Sequence, residues 1–322
     1  MSIYNYDKVY NILKFGRPFL ILSALFVTFS IVLTIVKGLT FGIDFSGGTV
    51  IQVKYAQTAP IDHIREMLSE TPYGKSSIQE FGSPEEIIIK IPTTTNSLDK
   101  DIGDEIRSIL APTGEFEIRR VDIVGPKVGG ELREKGITAL LLALAGVLIY
   151  VSFRFEWRFA VASIAALVHD ISITVGIIAL LEIDVNLDIL AALLTILGYS
   201  LNDTIVVFDR IRETLQRSKA TDLIHVINEA VSRTLSRTTL TSLTTFFVVL
   251  TLYLFGGELI NGLSFTLLIG IIVGTYSSIF VAAALLKMFG FSVNEYRSKE
   301  ARKAAAKAEK ERMRAQYEQG TL

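Results

Sequence analysis

Charged side chains interrupt several stretches of the sequence that are otherwise apolar. Asn202 and Asp203 lie within one such stretch, His169 and Asp170 lie within another, and Arg237 stands at the start of a third. An ionised side chain in lipid costs about 3 kcal/mol or more unless it faces water or a partner. Burial favours the neutral acid and a nearby guanidinium favours the carboxylate, so a carboxyl group placed between these influences can bind and release a proton. We interpret Asp203 as a proton carrier, Arg237 as its counter-charge and Asp170 as a supporting acid.

Polar side chains recur on the same helical faces as these charges. Steps of three and four residues bring side chains to one face of a helix. Such steps link Asp203 to polar residues on its own apolar stretch, and Arg237 to a row of threonines on the next. Because hydroxyl and amide groups can hold a file of water, we predict a polar path that leads to Asp203. The predicted lining residues are Thr195, Tyr199, Asn202, Thr241 and Thr245.

Purely structural roles would also account for some of these residues. Asp203 and Arg237 are natural ionic partners, and they could form a structural ion pair that only fixes helix register. His169 could be a packed, neutral imidazole instead of a proton relay. Since neighbouring residues of a helix point about 100° apart, we do not expect His169 and Asp170 to face the same groove, and we favour Asp170.

The composition is that of a protein dissolved in lipid. Half of the 322 residues are hydrophobic, 20% are charged, and the formal net charge is −1, so no global basic field points to a nucleic acid partner. The chain has no cysteine, which excludes disulfides, thiolate catalysis, iron–sulfur clusters and cysteine zinc sites. No phosphate-cradling loop, zinc-protease motif or nucleophile elbow occurs. We therefore expect no enzyme activity, no cofactor and no metal site.

Six apolar stretches are long enough to cross a bilayer as helices, which takes about 20 residues. They are residues 19–36, 136–153, 159–181, 189–208, 238–255 and 262–286. The first follows basic residues, as in a signal peptide, but no small-residue cleavage site comes after it. We interpret it as a retained helix.

The basic residues of the loops predict the direction of the spans. The basic loops are 154–158, 209–237 and 287–322. The turns 182–188 and 256–261 contain acids and no Lys or Arg, so the positive-inside rule places them outside. Residues 1–18 and the tail are then cytoplasmic, and residues 37–135 form an extracytoplasmic domain. We predict an amphipathic segment in the 209–237 connection, and a tail that is a solvated helix or disordered, with anionic membrane lipid or ribosomal RNA as candidate contacts.

The extracytoplasmic domain has the pattern of a small α+β fold. The predicted strands are 49–55, 76–81, 86–91 and 115–124, and the predicted helices are 61–68 and 98–110. The order β-α-β-β-α-β is that of a ferredoxin-like domain, with two helices on one face of an antiparallel sheet. Ahead of it, Gly42, Gly47 and Gly48 would suit a flexible hinge between membrane and domain, or else a tight turn that leads into the first strand.

Several longer motifs, taken in their order along the chain, also indicate a family resemblance. They are Phe41-Gly-Ile-Asp-Phe-Ser-Gly-Gly-Thr49, Val124-Gly-Pro-Lys-Val-Gly129, Phe153-Arg-Phe-Glu-Trp-Arg158, Ala166-Leu-Val-His-Asp170, Gly198-Tyr-Ser-Leu-Asn-Asp203, Arg237-Thr238 and Tyr253-Leu-Phe-Gly-Gly257. With them the chain resembles the SecD/SecF family of bacterial protein-export membrane proteins, which is part of the RND-type permease superfamily. The resemblance runs from about residue 10 to 290.

The resemblance implies one half of an RND-type transporter in the bacterial cytoplasmic (inner) membrane. It implies a heterodimer with SecD that assists the SecYEG channel and the SecA motor, with a YajC-like accessory protein nearby. The pair would use the proton-motive force to complete translocation of an unfolded polypeptide. The family's proton-transport residues correspond to Asp203 and Arg237, and its span-three acid to Asp170. Two alternatives are a stand-alone RND-type proton-coupled exporter of a lipid or small solute, and a passive scaffold of the translocon.

Overall fold

Six long helices form the body of the protein in the computed structural model, which describes residues 9–92, 102–218, 220 and 222–318. Their bounds are Gly16–Lys37 for span 1, Pro126–Arg154 for span 2, Trp157–Leu180 for span 3, Leu187–Arg217 for span 4, Leu223–Phe255 for span 5 and Glu258–Tyr276 for the first part of span 6. Span 6 continues through a π-helical turn, Ser277–Val281, into Ala282–Met288. Each helix is long and apolar enough to cross a membrane, which confirms the predicted six-helix bundle.

Spans 3, 4 and 6 form the centre of this bundle. Glycines of span 6 allow a close approach to span 4: a Cβ on Gly270 would lie 2.2 Å from the Ile196 side chain, and one on Gly274 would lie 3.1 Å from Ser200 Cβ. Small residues at a helix interface let two backbones come together in this way. Spans 1, 2 and 5 lie outside this centre and bury much less of their surface. Polar groups on the facing sides of the central spans are therefore brought into contact.

The predicted connection 209–237 consists mostly of the ends of two span helices. Span 4 runs on to Arg217 and span 5 begins at Leu223, where the Asp222 side chain accepts a hydrogen bond from the Ile224 amide. Arg297 closes the gap from the other side, because its guanidinium donates to the carbonyls of Leu215, Ser218 and Ala220. Carbonyls at a helix end lack partners within their own helix, so a cationic donor stabilises them.

The segment between spans 1 and 2 has the predicted ferredoxin-like fold. Its strands are β1 (Gly48–Tyr55), β2 (Ser77–Phe81), β3 (Ser83–Pro92) and β4 (Phe116–Val124), and its helices are α1 (Ile61–Ser69) and α2 (Ile102–Leu110). The sheet is antiparallel with the order β2-β3-β1-β4. Ile51 lies opposite Ile89, and both pack in one core with Ile64 of α1 and Ile106 of α2. The predicted start of the second helix, at residue 98, lies outside the described residues.

A short helix, Ile43–Ser46, fastens this domain to the membrane bundle. The Gly42 amide donates to the Val185 carbonyl, the Val185 amide donates to the Thr40 carbonyl, and Asp44 Oδ2 accepts from the Leu187 amide. These bonds tie the segment before β1 to the turn between spans 3 and 4. The ferredoxin-like domain therefore rests on that turn, as well as on the two helices that flank it in sequence.

The tail forms one long helix, α3 (Val293–Glu318). Its first turn packs on the bundle, where Val293 and Tyr296 are buried, and Lys299 forms a salt bridge with Glu156 in the turn between spans 2 and 3. Beyond residue 300 its described side chains are exposed. Of the two predicted states of the tail, the structure has the solvated helix.

Candidate proton-binding site

Asp203 is buried where span 4 meets span 5. Its side chain is 3% exposed, and Oδ2 accepts a hydrogen bond from Ser242 Oγ at 3.2 Å. At about 1.5 Å per residue it lies about 24 Å from the predicted outer end of span 4. An acid buried so deeply, with a single hydroxyl donor among the described residues, is the type of group that can change its protonation state when its surroundings move.

Arg237 does not form the expected ion pair with Asp203 in the described structure. The guanidinium is close enough to act on the carboxylate electrostatically, but no salt bridge joins them. Arg237 and Ser242 are about 140° apart around span 5 at about 100° per residue, and Arg237 lies on the exposed side. Matching depth along two helices brings residues to one level, but the rotation of each helix decides whether they touch.

Asp170 lies at a second polar centre, where spans 3, 4 and 6 meet. It is fully buried, and Oδ2 accepts hydrogen bonds from Ser200 Oγ of span 4 and from Ser277 Oγ of span 6, the latter at 2.8 Å. Its other oxygen, Oδ1, lies 2.8 Å from His169 Nδ1. Three side chains therefore hold one carboxyl group about 15 Å from the predicted outer end of span 3.

The contact between His169 and Asp170 corrects the prediction that they could not face one groove. Both side chains are buried, at 6% and 0% exposure, and they bond directly to each other. The 100° separation applies to the Cα–Cβ directions of neighbouring residues. The side-chain torsions of a histidine and an aspartate can turn both groups into the space between those directions. One polar centre therefore contains both residues.

The π-helical turn of span 6 begins at this centre. Ser277 is its first residue and donates to Asp170, while Tyr276, the last residue before it, places its ring 6.1 Å from the imidazole of His169. A π turn inserts an extra residue into a helix and is frequent at functional sites. Here it aligns Ser277 with Asp170 and leaves the rest of span 6 helical.

The predicted lining residues are not gathered around Asp203. Thr195, Asn202 and Thr241 are exposed on the outside of the bundle, and Tyr199 and Thr245 are half-buried. The three threonine hydroxyls donate to carbonyls of their own helices, which satisfies them without a neighbouring helix. They form, with Asn202 and Arg237, a polar face of spans 4 and 5 that the described residues do not cover.

Sequence reasoning missed the serines that hold the two acids. Ser200, Ser242 and Ser277 are buried donors from three different spans. Serine is common in apolar helices, so composition alone does not single these residues out. Ser277 follows Gly274 by three residues, so it lies near the helix face that Gly270 and Gly274 share, and this spacing of small residues is a signal that could have found it.

The predicted hinge glycines lie in a tightly packed segment. Gly47 has φ +81°, and a Cβ there would lie 2.9 Å from Pro126. A Cβ on Gly48 would lie 2.4 Å from the Ile91 carbonyl oxygen, whereas at Gly42 the nearest contacts are an ordinary 3.4 Å. This is the geometry of a tight turn before β1, the alternative that the sequence left open.

A cleft of about 530 Å³ opens beside this turn, between the sheet and the turn that joins spans 3 and 4. Its charged lining comprises Asp44, Lys75, Lys90, Asp184 and Asp188. Partial burial in the cleft raises the pKa of the Asp184 carboxyl, and the attraction of Lys90 opposes that rise. The junction between membrane and domain is thus polar and carries both signs of charge.

Two family matches cover most of the chain. Residues 105–292 match the family described as protein export membrane protein SecD/SecF, C-terminal, and residues 32–59 match the SecD/SecF GG motif. The chain belongs to the SecD/SecF family. Asp170, Asp203 and Arg237 fall within the first match, and the tight glycine turn falls within the second.

Relatives in the SecD/SecF family are similar over nearly their whole length. The protein translocase subunit SecF of Helicobacter pylori strain J99 is 47% identical, and the match covers 100% of both chains. The subunit of the same name from Escherichia coli O157:H7 is 39% identical over 88% of each chain. These relatives place the chain among subunits of the Sec translocase.

A solved structure shows the same fold within a longer chain. SecDF from Thermus thermophilus, described as a translocon-associated membrane protein, matches with a TM-score of 0.77 and 34% identity. The match covers 89% of this chain and 39% of the SecDF chain. The chain therefore corresponds to less than half of SecDF.

Proposed function

We propose that the chain is the SecF-like subunit of a proton-driven complex that completes protein translocation across the bacterial inner membrane. Asp203 carries the proton in this proposal. The observation that supports it most is a carboxyl group buried inside the bundle, held by a single hydroxyl, with an arginine near it but not bonded to it. A movement of span 5 that brings the Arg237 guanidinium to Asp203 would favour the carboxylate, and the reverse movement would favour the neutral acid.

The proton-motive force is large enough to drive such a change. One charge moved across 100 mV gains about 2.3 kcal/mol. That free energy corresponds to a shift of roughly fiftyfold in a two-state equilibrium, since about 1.4 kcal/mol is tenfold. A movement of spans 4 and 5 coupled to Asp203 could thus be driven in one direction by proton entry.

SecD is the proposed partner that completes the bundle. Two observations support this: the chain matches only 39% of SecDF, and the polar face of spans 4 and 5 lies uncovered within the membrane region. Polar groups in lipid favour contact with another polar surface. We further propose that the heterodimer acts beside SecYEG, SecA and a YajC-like protein on an unfolded polypeptide, with both termini in the cytoplasm.

An Asp203→Asn variant tests the role of Asp203. It keeps the size of the side chain and removes the exchangeable proton, so we expect the gradient-dependent part of protein export into inverted membrane vesicles to be lost. Asp209→Asn is the matched control, because Asp209 lies on the same helix in a surface salt bridge with Arg154. We expect that control to retain most of its export, since exposed ion pairs contribute little.

The outcome separates this function from a passive scaffold. Export by Asp203→Asn at the wild-type level under a proton gradient, with SecD still co-purifying, would favour a scaffold and contradict the proposal. A stand-alone exporter of a lipid or small solute is not favoured, because the full-length relatives are named as translocase subunits.

A further inference from the structure

The two ring nitrogens of His169 differ in their hydrogen bonding. Nδ1 lies 2.8 Å from Asp170 Oδ1, while Nε2 is buried and has no hydrogen-bond partner among the described residues. A buried polar atom without a partner costs about 1–3 kcal/mol, so it is seldom kept without a reason. The sequence left the role of His169 open, and this atom indicates one.

The hydrogen bonds around Asp170 determine where the imidazole proton resides. Ser200 and Ser277 both donate to Oδ2, which favours the carboxylate form of Asp170. A carboxylate can only accept, so Nδ1 of His169 must be the donor to Oδ1. In the neutral ring the proton then lies on Nδ1, and Nε2 carries the lone pair.

We propose that His169 binds a proton at Nε2 and that Asp170 is the positioning residue that orients the ring. The inference rests on the proposed function and adds a second proton-binding group to it. In the step itself, a proton bonds to the Nε2 lone pair and gives an imidazolium, and loss of the same proton restores the neutral ring. The imidazolium and the Asp170 carboxylate together have no net charge, which limits the cost of holding the proton in lipid.

The position of this pair suits a relay to Asp203. The pair lies about 15 Å from the predicted outer end of span 3, whereas Asp203 lies about 24 Å from the predicted outer end of span 4. Ser200, which bonds Asp170, precedes Asp203 by one helical turn. The proton would therefore meet His169 first when it enters from outside.

The neighbouring helices bring few other titratable groups to the pair. Span 6 contributes Tyr276, whose hydroxyl contacts Ser23 of span 1 at 2.9 Å, and span 4 contributes Asp203. Residues 18–36 of span 1 and 136–149 of span 2 contain no ionisable side chain. A protonation change near this centre would accordingly be assigned to His169, Asp170 or Asp203.

The first experiment observes the protonation of the His169 imidazole directly and needs no measurement of export. The chain has three histidines, so His63→Gln and His225→Gln leave His169 as its single imidazole. With ¹⁵N-histidine in this subunit alone, co-reconstituted with SecD in bilayers, solid-state NMR should show Nδ1 protonated throughout. Nε2 should change from bare to protonated when the pH of the sample is lowered. An unchanged Nε2 signal, or a neutral ring with its proton on Nε2, would overturn the proposal.

Asp170→Ala in the same background tests the positioning role. Without the acceptor at Nδ1 we expect a mixture of the two neutral tautomers at high pH. A spectrum identical to that of the parent would show that Asp170 does not orient the ring.

Export then tests whether the proton on His169 is used. We expect His169→Gln to lower gradient-driven export at least tenfold while SecD still co-purifies, and His225→Gln, at an exposed position of span 5, to leave it unchanged. Export by His169→Gln at the wild-type level would overturn the inference but would not affect the proposed role of Asp203. Conversely, Asp203→Asn could leave gradient-driven export unchanged while Nε2 of His169 still gains a proton. That result would count against the proposed function and not against the proton site.

Discussion

The two intramembrane acids differ in how firmly they are held. Asp170 has contacts from three side chains on three spans, whereas Asp203 has one hydroxyl donor, from Ser242. Each hydrogen bond to a charged group contributes about 1.5–3 kcal/mol. A movement of one helix can therefore change the environment of Asp203 more than that of Asp170. Asp203 is thus suited to respond to such a movement, and Asp170 is suited to keep a fixed position.

Removal of the single donor should impair Asp203 specifically. In Ser242→Ala the carboxylate loses its hydrogen bond, and we expect gradient-driven export to fall roughly tenfold, since about 1.4 kcal/mol corresponds to that factor. Thr244→Ala is the control, because its hydroxyl donates only to the Thr241 carbonyl of its own helix. Equal export rates of the two variants in inverted vesicles would show that the Ser242 contact has no role.

At this scale the sequence picked out the two acids that the structure buries between helices, but not their hydrogen-bond partners. Asp170, Asp203 and Arg237 stand out because charge is rare in apolar helices. The absence of an ion pair between Asp203 and Arg237 depends on the rotation of span 5 about its axis, which a pattern of residue types fixes only loosely. Serine donors such as Ser200 and Ser242 carry no charge that would reveal them.

Among the elements, the glycine turn before β1 has a strict steric demand. Gly47 adopts a left-handed φ, and Gly48 lies against the Ile91 carbonyl of β3. Gly129 of span 2 meets the same segment, since its Cβ would lie 2.9 Å from the Gly47 amide nitrogen. Backbone thus meets backbone at the point where the domain joins the membrane helices, and this leaves no room for a side chain.

A methyl group at Gly48 should therefore loosen the junction. We expect Gly48→Ala to lower the stability of the ferredoxin-like domain by about 3 kcal/mol, because overpacking against backbone costs 1–3 kcal/mol or more. The measurement is trypsin resistance of the purified protein as a function of temperature. Gly125→Ala, where φ is −66° and no atom lies within 4 Å, should be neutral or slightly stabilising. Equal melting of both variants would instead favour a loose hinge.

The elements themselves were the most predictable part of the molecule. Periods of two and of 3.6 residues gave the β-α-β-β-α-β order and the long helices, since apolar burial sets both patterns. The π turn at Ser277–Val281 was not predicted, because an added residue in a helix leaves the apolar pattern of span 6 continuous. The turn accompanies a tertiary contact, the hydrogen bond from Ser277 to Asp170.

For the whole molecule, the cleft between domain and bundle introduces a dependence on pH. The pKa of Asp184 is raised above its usual 3.8 by partial burial. The folded protein then holds this proton more tightly than the unfolded chain, so stability falls as pH rises from the usual value through the raised one. At neutral pH the ionised carboxylate is a cost to the junction.

Asp184→Asn should remove that cost. We expect a higher melting temperature at pH 7 and no gain well below the usual value of 3.8, where the carboxyl is protonated in both the folded and the unfolded protein. Asp188→Asn is the control from the same turn. Asp188 lies in the first turn of span 4, where a negative charge is favourable, so that variant should show no gain at pH 7. A gain by Asp184→Asn that is equal at both pH values would contradict the assignment to its ionisation.

The uncovered polar face of spans 4 and 5 has the widest consequence for assembly. Asn202, Arg237 and Thr241 are exposed at a depth where other spans present apolar side chains, such as Leu141 of span 2 at 61% exposure. A polar face in lipid is satisfied only by another helix or by water between helices. We therefore expect SecD to contact this face and lipid to contact span 2.

Site-specific cross-linking can test this placement, because the chain has no native cysteine. A benzophenone attached to Thr241→Cys should cross-link to SecD in membranes on illumination, and the same probe on Leu141→Cys should label lipid. Both positions are exposed in the single chain, so access of the probe does not distinguish them. Cross-linking to SecD from Leu141→Cys alone would put the partner on the opposite side and leave Arg237 facing lipid, a state that its charge disfavours.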